Sequence, residues 1–120
     1  MLQVLMVDDD PSQLRIREII LRNAGLVVHS ATGVESALAL LRSTGDKVGV
    51  VVTDHYLAGH TGSELVRQLR FILPAMPVVV LSGMPGIEEE YDGLNVSIRL
   101  KPFPPDELIS VVQNSLNGKK

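Results

Sequence analysis

The chain has 120 residues, 45% of them hydrophobic but only 3% aromatic, which suits one domain with a core of Val, Leu, Ile and Ala and excludes disorder. A formal net charge of −3 without any Lys/Arg block excludes a surface that binds nucleic acid by neutralising phosphates. There is no cysteine for disulfides or thiolate metal sites, no signal-peptide pattern and no apolar run near the ~20 residues of a membrane span, so a cytoplasmic protein without membrane insertion is expected.

Residues 2–7 open the chain as a short apolar run, and similar runs recur at 26–29, 48–53, 78–81 and 96–100, separated by segments of helical periodicity. Such alternation predicts a parallel sheet covered on both faces. After the first run, Asp10 is a natural N-cap with Pro11 at the first helical position, and Gly25 ends that helix. Its apolar stripe is expected to be Ile16, Ile19, Ile20 and Ala24. The second run, with Val27 and His29 alternating with their neighbours, suits an edge strand. Thr32-Gly33-Val34-Glu35 has the form of a capping box before Val34, Ala37, Leu38 and Leu41. Residues 48–53 are almost continuously apolar, as central strands are. Thr61-Gly62-Ser63-Glu64 repeats the capping device before Leu65 and Leu69. Residues 78–81 again read as a central strand. Residues 85–93 have room for one or two helical turns with Glu88, Glu89 and Glu90 exposed. A final helix follows Pro104-Pro105 and turns Leu108, Val111, Val112 and Leu116 inward; Gly118-Lys119-Lys120 reads as a frayed end or linker.

The chemistry sits where the apolar runs stop. Asp8-Asp9-Asp10, Asp54, Ser82 and Lys101-Pro102 each follow a run, and an open parallel sheet binds its ligands beyond the carboxyl ends of its strands. Adjacent aspartates supply the hard oxygen ligands that Mg²⁺ prefers. Asp54, alone on the central run, is placed as a nucleophile toward phosphorus, and Lys101 with the Ser82 hydroxyl is suited to hold phosphoryl oxygens. Taken singly, Asp-Asp-Asp-Pro is an ordinary helix start, a lone Asp an ordinary turn residue and Lys-Pro an ordinary surface pair; together at parallel strand ends they point to phosphoryl and metal chemistry. Three carboxylates in one crevice repel, so the empty site is expected to weaken the fold and to bind a divalent cation readily. His55 and His60 lack the ligand spacing of a zinc site, and Phe103 is expected to anchor the turn after Lys101 by packing.

Val7-Asp8-Asp9, Thr53-Asp54 followed by Gly59 and Gly62, Leu81-Ser82-Gly83 and Lys101-Pro102-Phe103 together make the chain resemble the receiver domain of two-component response regulators. The resemblance spans residues 4–116 and implies a single flavodoxin-like α/β domain over 1–120, doubly wound around a five-stranded parallel sheet of order 2-1-3-4-5. It implies that Asp54 accepts a phosphoryl group from a histidine kinase or phosphotransfer protein. Asp9 and Asp54 are then direct Mg²⁺ ligands, Asp8 a ligand through water, and Tyr56 a ligand through its backbone carbonyl. Ser82 is the switch hydroxyl and Lys101 the phosphate partner, with a cis peptide before Pro102. The implied protein is a switch acting on itself, not an enzyme with a separate substrate; it signals to a downstream protein or output domain, and homodimerisation is left open.

The chain departs from the family pattern at several positions. Ala58-Gly59-His60-Thr61-Gly62 replaces a turn that usually contains Pro, Ile98 stands where the switch aromatic is usual, and the short stretch from Ser82 to Lys101 implies a shortened fourth helix. Tyr56 and Met84 border the path of the hydrolytic water and predict slow dephosphorylation. The alternative is a phosphorylation-independent interaction domain on the same fold. A dehalogenase-type phosphatase needs an Asp where Tyr56 stands, and Asp8-Asp9-Asp10 occupies the place of the Gly-rich turn that nucleotide-binding folds require.

Overall fold

Val-rich runs pair side by side because their branched side chains pack well on a pleated, buried surface. A computed structural model describes residues 2–118 and contains strands β1 (Gln3–Val7), β2 (Val28–Ala31), β3 (Val48–Asp54), β4 (Tyr56–Leu57), β5 (His60–Thr61), β6 (Val78–Ser82) and β7 (Ser97–Leu100). Five of them form a parallel sheet in the order β2-β1-β3-β6-β7, which is 2-1-3-4-5 when the sheet strands alone are counted. The flavodoxin-like order expected from the resemblance is therefore the one found. The remaining two, β4 and β5, pair antiparallel in the loop after β3. Lys119 and Lys120 of the expected frayed end lie outside the described residues.

Helices α1 (Pro11–Asn23), α2 (Val34–Thr44), α3 (Gly62–Ile72) and α4 (Pro105–Leu116) cover the sheet. Alternation along each strand sorts the core into two layers. Val4, Met6, Val50, Val52, Val79 and Leu81 face α1 and α4; Leu5, Val7, Val51 and Val80 face α2, α3 and a 3-10 turn at Glu88–Tyr91. That turn is all that stands for the shortened fourth helix. It buries Ile87 and Tyr91 and leaves its three glutamates exposed. Gly49 is the extra residue where the β1–β3 register slips, and a Cβ there would lie 2.6 Å from the Leu116 side chain and 2.7 Å from that of Leu2.

Local signals set most element ends. Asp10 caps α1, its side chain accepting from the Ser12 N–H at 2.9 Å, and Gly25 takes φ +86° just past the helix. At α3 the capping box forms as expected: the Glu64 N–H donates to Thr61 Oγ1 at 3.4 Å and the Thr61 N–H to Glu64 Oε2 at 3.3 Å. Phe103 packs against the α1/α4 core layer, and the peptide before Pro102 is cis.

Three expectations are corrected. The second strand begins at Val28, not at Leu26, because Leu26 serves instead to pack the turn after α1. Helix α2 starts one residue later than its Thr-Gly-Val-Glu motif suggests: Gly33 is the N-cap and its N–H donates to Ser36 Oγ at 3.2 Å. The buried residues of α1 are Leu14, Arg17 and Leu21, while Ile16 and Ile19 are about half exposed, at 51% and 46%. Apolar residues surround too much of this helix for periodicity to select one face, and the selected face includes a charge.

Candidate functional site

The register of the sheet brings the strand ends into line. Val7 pairs with Thr53, Asp54 with Leu81 and Ser82 with Leu100, so Asp8, Asp54, Ser82 and Lys101 meet along one edge. Asp8 and Asp54 are buried, at 1% and 5% exposure, and Lys101 Nζ lies 2.9 Å from Asp54 Oδ1. Asp9 is exposed at the rim. The Ser82 hydroxyl is occupied within its own turn, donating to the Met84 carbonyl at 2.8 Å and accepting from the Met84 N–H at 3.0 Å. Above it, the exposed Tyr56 hydroxyl donates to Met84 Sδ at 3.2 Å, so the two residues expected to border the hydrolytic path touch each other.

Arg17 is the group that sequence reasoning missed. Its Nη1 donates to Asp8 Oδ2 at 2.5 Å and to Asp54 Oδ1 at 3.3 Å. It reaches them because α1 starts at the strand ends and helical Cβ atoms tilt toward the helix N-terminus, so a long side chain from the second turn points back to the pocket while its stem lies on the sheet. The spacing of Leu14, Arg17 and Leu21, at i, i+3 and i+7, was the available signal, as was the imbalance of three carboxylates against one lysine. With Arg17 present, two cations face Asp8 and Asp54, while Asp9 lies exposed at the rim, so the expected repulsion is reduced. Among the described residues no buried side-chain nitrogen or oxygen lacks a partner.

Asp8 nevertheless resists ionisation. Burial, and then hydrogen bonding with Asp54, push it up to about 6, against the lowering effects of the Asp10 N–H and Arg17. On the other flank, buried His55 shares a hydrogen bond with Tyr91 Oη at 2.8 Å, and its Nε2 lies 3.3 Å from Glu90 Oε2. This links the residue after Asp54 to the 3-10 turn. Burial pushes the Tyr91 hydroxyl up. Gly62 makes the approach possible, since a Cβ there would lie 2.6 Å from Tyr91 Oη and 2.7 Å from the Asp54 carbonyl.

A family model described as the response regulator receiver domain matches residues 4–113. The chain belongs to that family. The cell cycle response regulator CtrA of Brucella ovis is 30% identical to this receiver over 99% of the chain and 52% of its own length. The putative two-component response regulator ARR21 of Arabidopsis thaliana is 28% identical over 99% of the chain and 20% of its own length. The receiver thus spans between a fifth and about half of these relatives. Among solved structures it is similar to the chemotaxis protein CheY4 of Vibrio cholerae, with a TM-score of 0.87 and 27% identity over 96% of this chain and 98% of that one. A response regulator receiver protein from Sinorhizobium medicae gives a TM-score of 0.85 and 31% identity over 99% and 97%. The receiver is a signalling switch module of two-component systems. Among its described residues no helix is long and apolar enough to cross a membrane.

Proposed function

We propose that this receiver accepts a phosphoryl group on Asp54 from a histidine kinase or phosphotransfer protein and passes the change to a downstream protein or output domain. The observation that carries the reading is the buried Asp54 carboxylate at the end of the central strand, with Lys101 Nζ 2.9 Å from one of its oxygens. An Asp54 oxygen attacks phosphorus in line, the new O–P bond forms as the donor N–P bond breaks, and the donor imidazole leaves with the electron pair. Lys101 balances the charge that gathers on the phosphoryl oxygens. The Ser82 hydroxyl leaves its Met84 partners to bond one of those oxygens, and that exchange moves the turn after β6.

The donor chemistry suits Mg²⁺: buried Asp8 and Asp54 offer hard carboxylate oxygens on either side of the Arg17 guanidinium and Asp9 stands at the rim, although among the described residues no three acidic or imidazole side chains are yet gathered around one point. Asp9 and Asp54 would hold the ion directly, Asp8 through water and Tyr56 through its carbonyl, and the ion when bound would neutralise phosphoryl oxygens. The phosphorylation-independent reading draws support from the fully partnered pocket. Incubation with acetyl phosphate and Mg²⁺ followed by mass spectrometry separates the two readings. One added phosphoryl group, absent in Asp54→Asn and after chelation, supports acceptance; no adduct on wild type, or one that survives Asp54→Asn, overturns it.

A further inference from the structure

The receiver reading leaves Arg17 without a role, yet it is the one basic residue of α1 that is buried. An arginine at a helix surface ordinarily points into water, where its ion pairs contribute little. Arg17 instead spans the two buried carboxylates of the acceptor pocket, at 2.5 Å and 3.3 Å from a single nitrogen. A divalent cation that used Asp8 and Asp54 would be drawn to the same region of negative potential. Arg17 and Lys101 already bring two positive charges to Asp54, and a divalent ion between Asp8 and Asp54 would stand at contact distance from the guanidinium, where repulsion in a poorly screened site opposes its entry.

We propose that Arg17 is a tethered competitor of the divalent cation, so that Mg²⁺ enters the pocket only when the guanidinium withdraws. The inference rests on the reading of Asp8, Asp9 and Asp54 as metal-binding carboxylates. Its consequences follow from charge and connectivity. A tethered cation is always present at high local concentration, whereas Mg²⁺ must first shed part of a tightly held water shell. The resting receiver is therefore stable without metal, and its affinity for Mg²⁺ is set by the work of removing Arg17. Linkage makes the effect reciprocal: bound Mg²⁺ drives the Arg17 side chain out of the pocket toward solvent beside α1. Metal occupancy is thereby coupled to the surface of the first helix.

The test is a Mg²⁺ titration of the wild-type chain, Arg17→Leu and Arg17→Gln, followed by amide chemical shifts at residues 8–10 and 54–56 and by thermal melting. Both variants are expected to bind Mg²⁺ about tenfold or more tightly than wild type, and to gain more melting temperature from it. Equal or weaker binding in the variants overturns the proposal. If Arg17→Leu fails to fold without metal, Arg17→Gln, which keeps polar contacts to the carboxylates, decides. A third measurement needs no substitution. In wild type the Arg17 Nη1 protons, which bond Asp8 and Asp54, should be protected from exchange in metal-free buffer and become freely exchanging as Mg²⁺ saturates the site, and unchanged protection at saturation overturns the proposal. Failure of all three proteins to bind Mg²⁺ overturns the metal reading and this inference together. Competition without any phosphoryl adduct on Asp54 overturns the proposed function alone.

Discussion

Around β1 and β3, residues 4–8 and 48–54 are all buried and the charged groups at the strand ends bond one another, whereas β7 ends in the exposed Arg99 and Leu100 and is flanked by a single 3-10 turn. On the first side Asp8, Arg17 and Asp54 form a connected set, which Lys101 joins from the end of β7, and each of these two carboxylates has a cationic partner. On the second, Ile98 is half-buried, Met84 is half exposed at 50%, and a buried hydrogen bond, His55–Tyr91, reaches the residue after Asp54. A sheet that is parallel throughout is therefore uneven in how tightly its two ends are specified. Stability concentrates where removing one group strands another, and adaptable surface lies where it does not.

Arg17→Leu should break this contrast most strongly. Removing one partner of a buried charge set leaves carboxylates uncompensated, and a loss of about 3 kcal/mol is expected in metal-free buffer near pH 8, measured by denaturant unfolding. The loss should shrink near pH 5, where Asp8 takes up a proton and the stranded charge disappears.

A second, smaller effect comes from Asp8 in the intact protein. Its folded value of about 6 lies above the ordinary 3.8, so the native state holds the proton more tightly than the unfolded chain. The contribution of this group is therefore fully present below pH ~4 and is lost as pH rises through about 6, with a span on the order of 3 kcal/mol. Asp8→Asn should flatten that part of the stability profile; a slope unchanged by the substitution would assign the titration elsewhere.

Tyr91→Phe tests the link between the two sides. It removes one hydrogen bond to buried His55 and should cost about 1 kcal/mol by thermal or denaturant melting. Amide shifts should move at residues 54–56 as well as 88–91 if the contact couples the end of β3 to the 3-10 turn, and shifts confined to the turn would show it to be a local bond.

The smallest effect on stability, within about 0.5 kcal/mol, is expected from the exposed pair in Tyr56→Asn/Met84→Glu. Their effect should fall on kinetics. Tyr56 and Met84 touch across the rim, and opening that contact should speed the decay of phosphorylated Asp54 after the donor is removed. A decay rate equal to wild type would free these side chains of any control over water access.

Much of this molecule was legible in its residues. Nearly continuous apolar runs marked β3 and β6 as central strands, Asp10-Pro11 and Thr61/Glu64 marked helix starts, and acidic, hydroxyl and lysine groups after the runs marked the strand ends. These signals are local: period, caps and chain breaks act within a few residues, so they survive without knowledge of the fold. The same locality explains the misplaced start of α2, where two capping motifs overlap by one residue and packing of Val34 and Ala37 selected between them.

Other features arose only from tertiary structure. With Leu14, Ile16, Ile19, Ile20 and Leu21 spread around α1, the helix had several apolar faces of similar width, and docking on β1 decided which was buried. That choice carried Arg17 inward, because a guanidinium on a flexible stem can cover apolar surface and still reach a carboxylate. The His55–Tyr91 bond joins residues 36 positions apart and had no local trace. Sequence determined which chemical groups stand at the strand ends, since that depends on where each apolar run stops. Only the packed fold decided which cation stands between Asp8 and Asp54, since that depends on the rotation of a helix about its own axis.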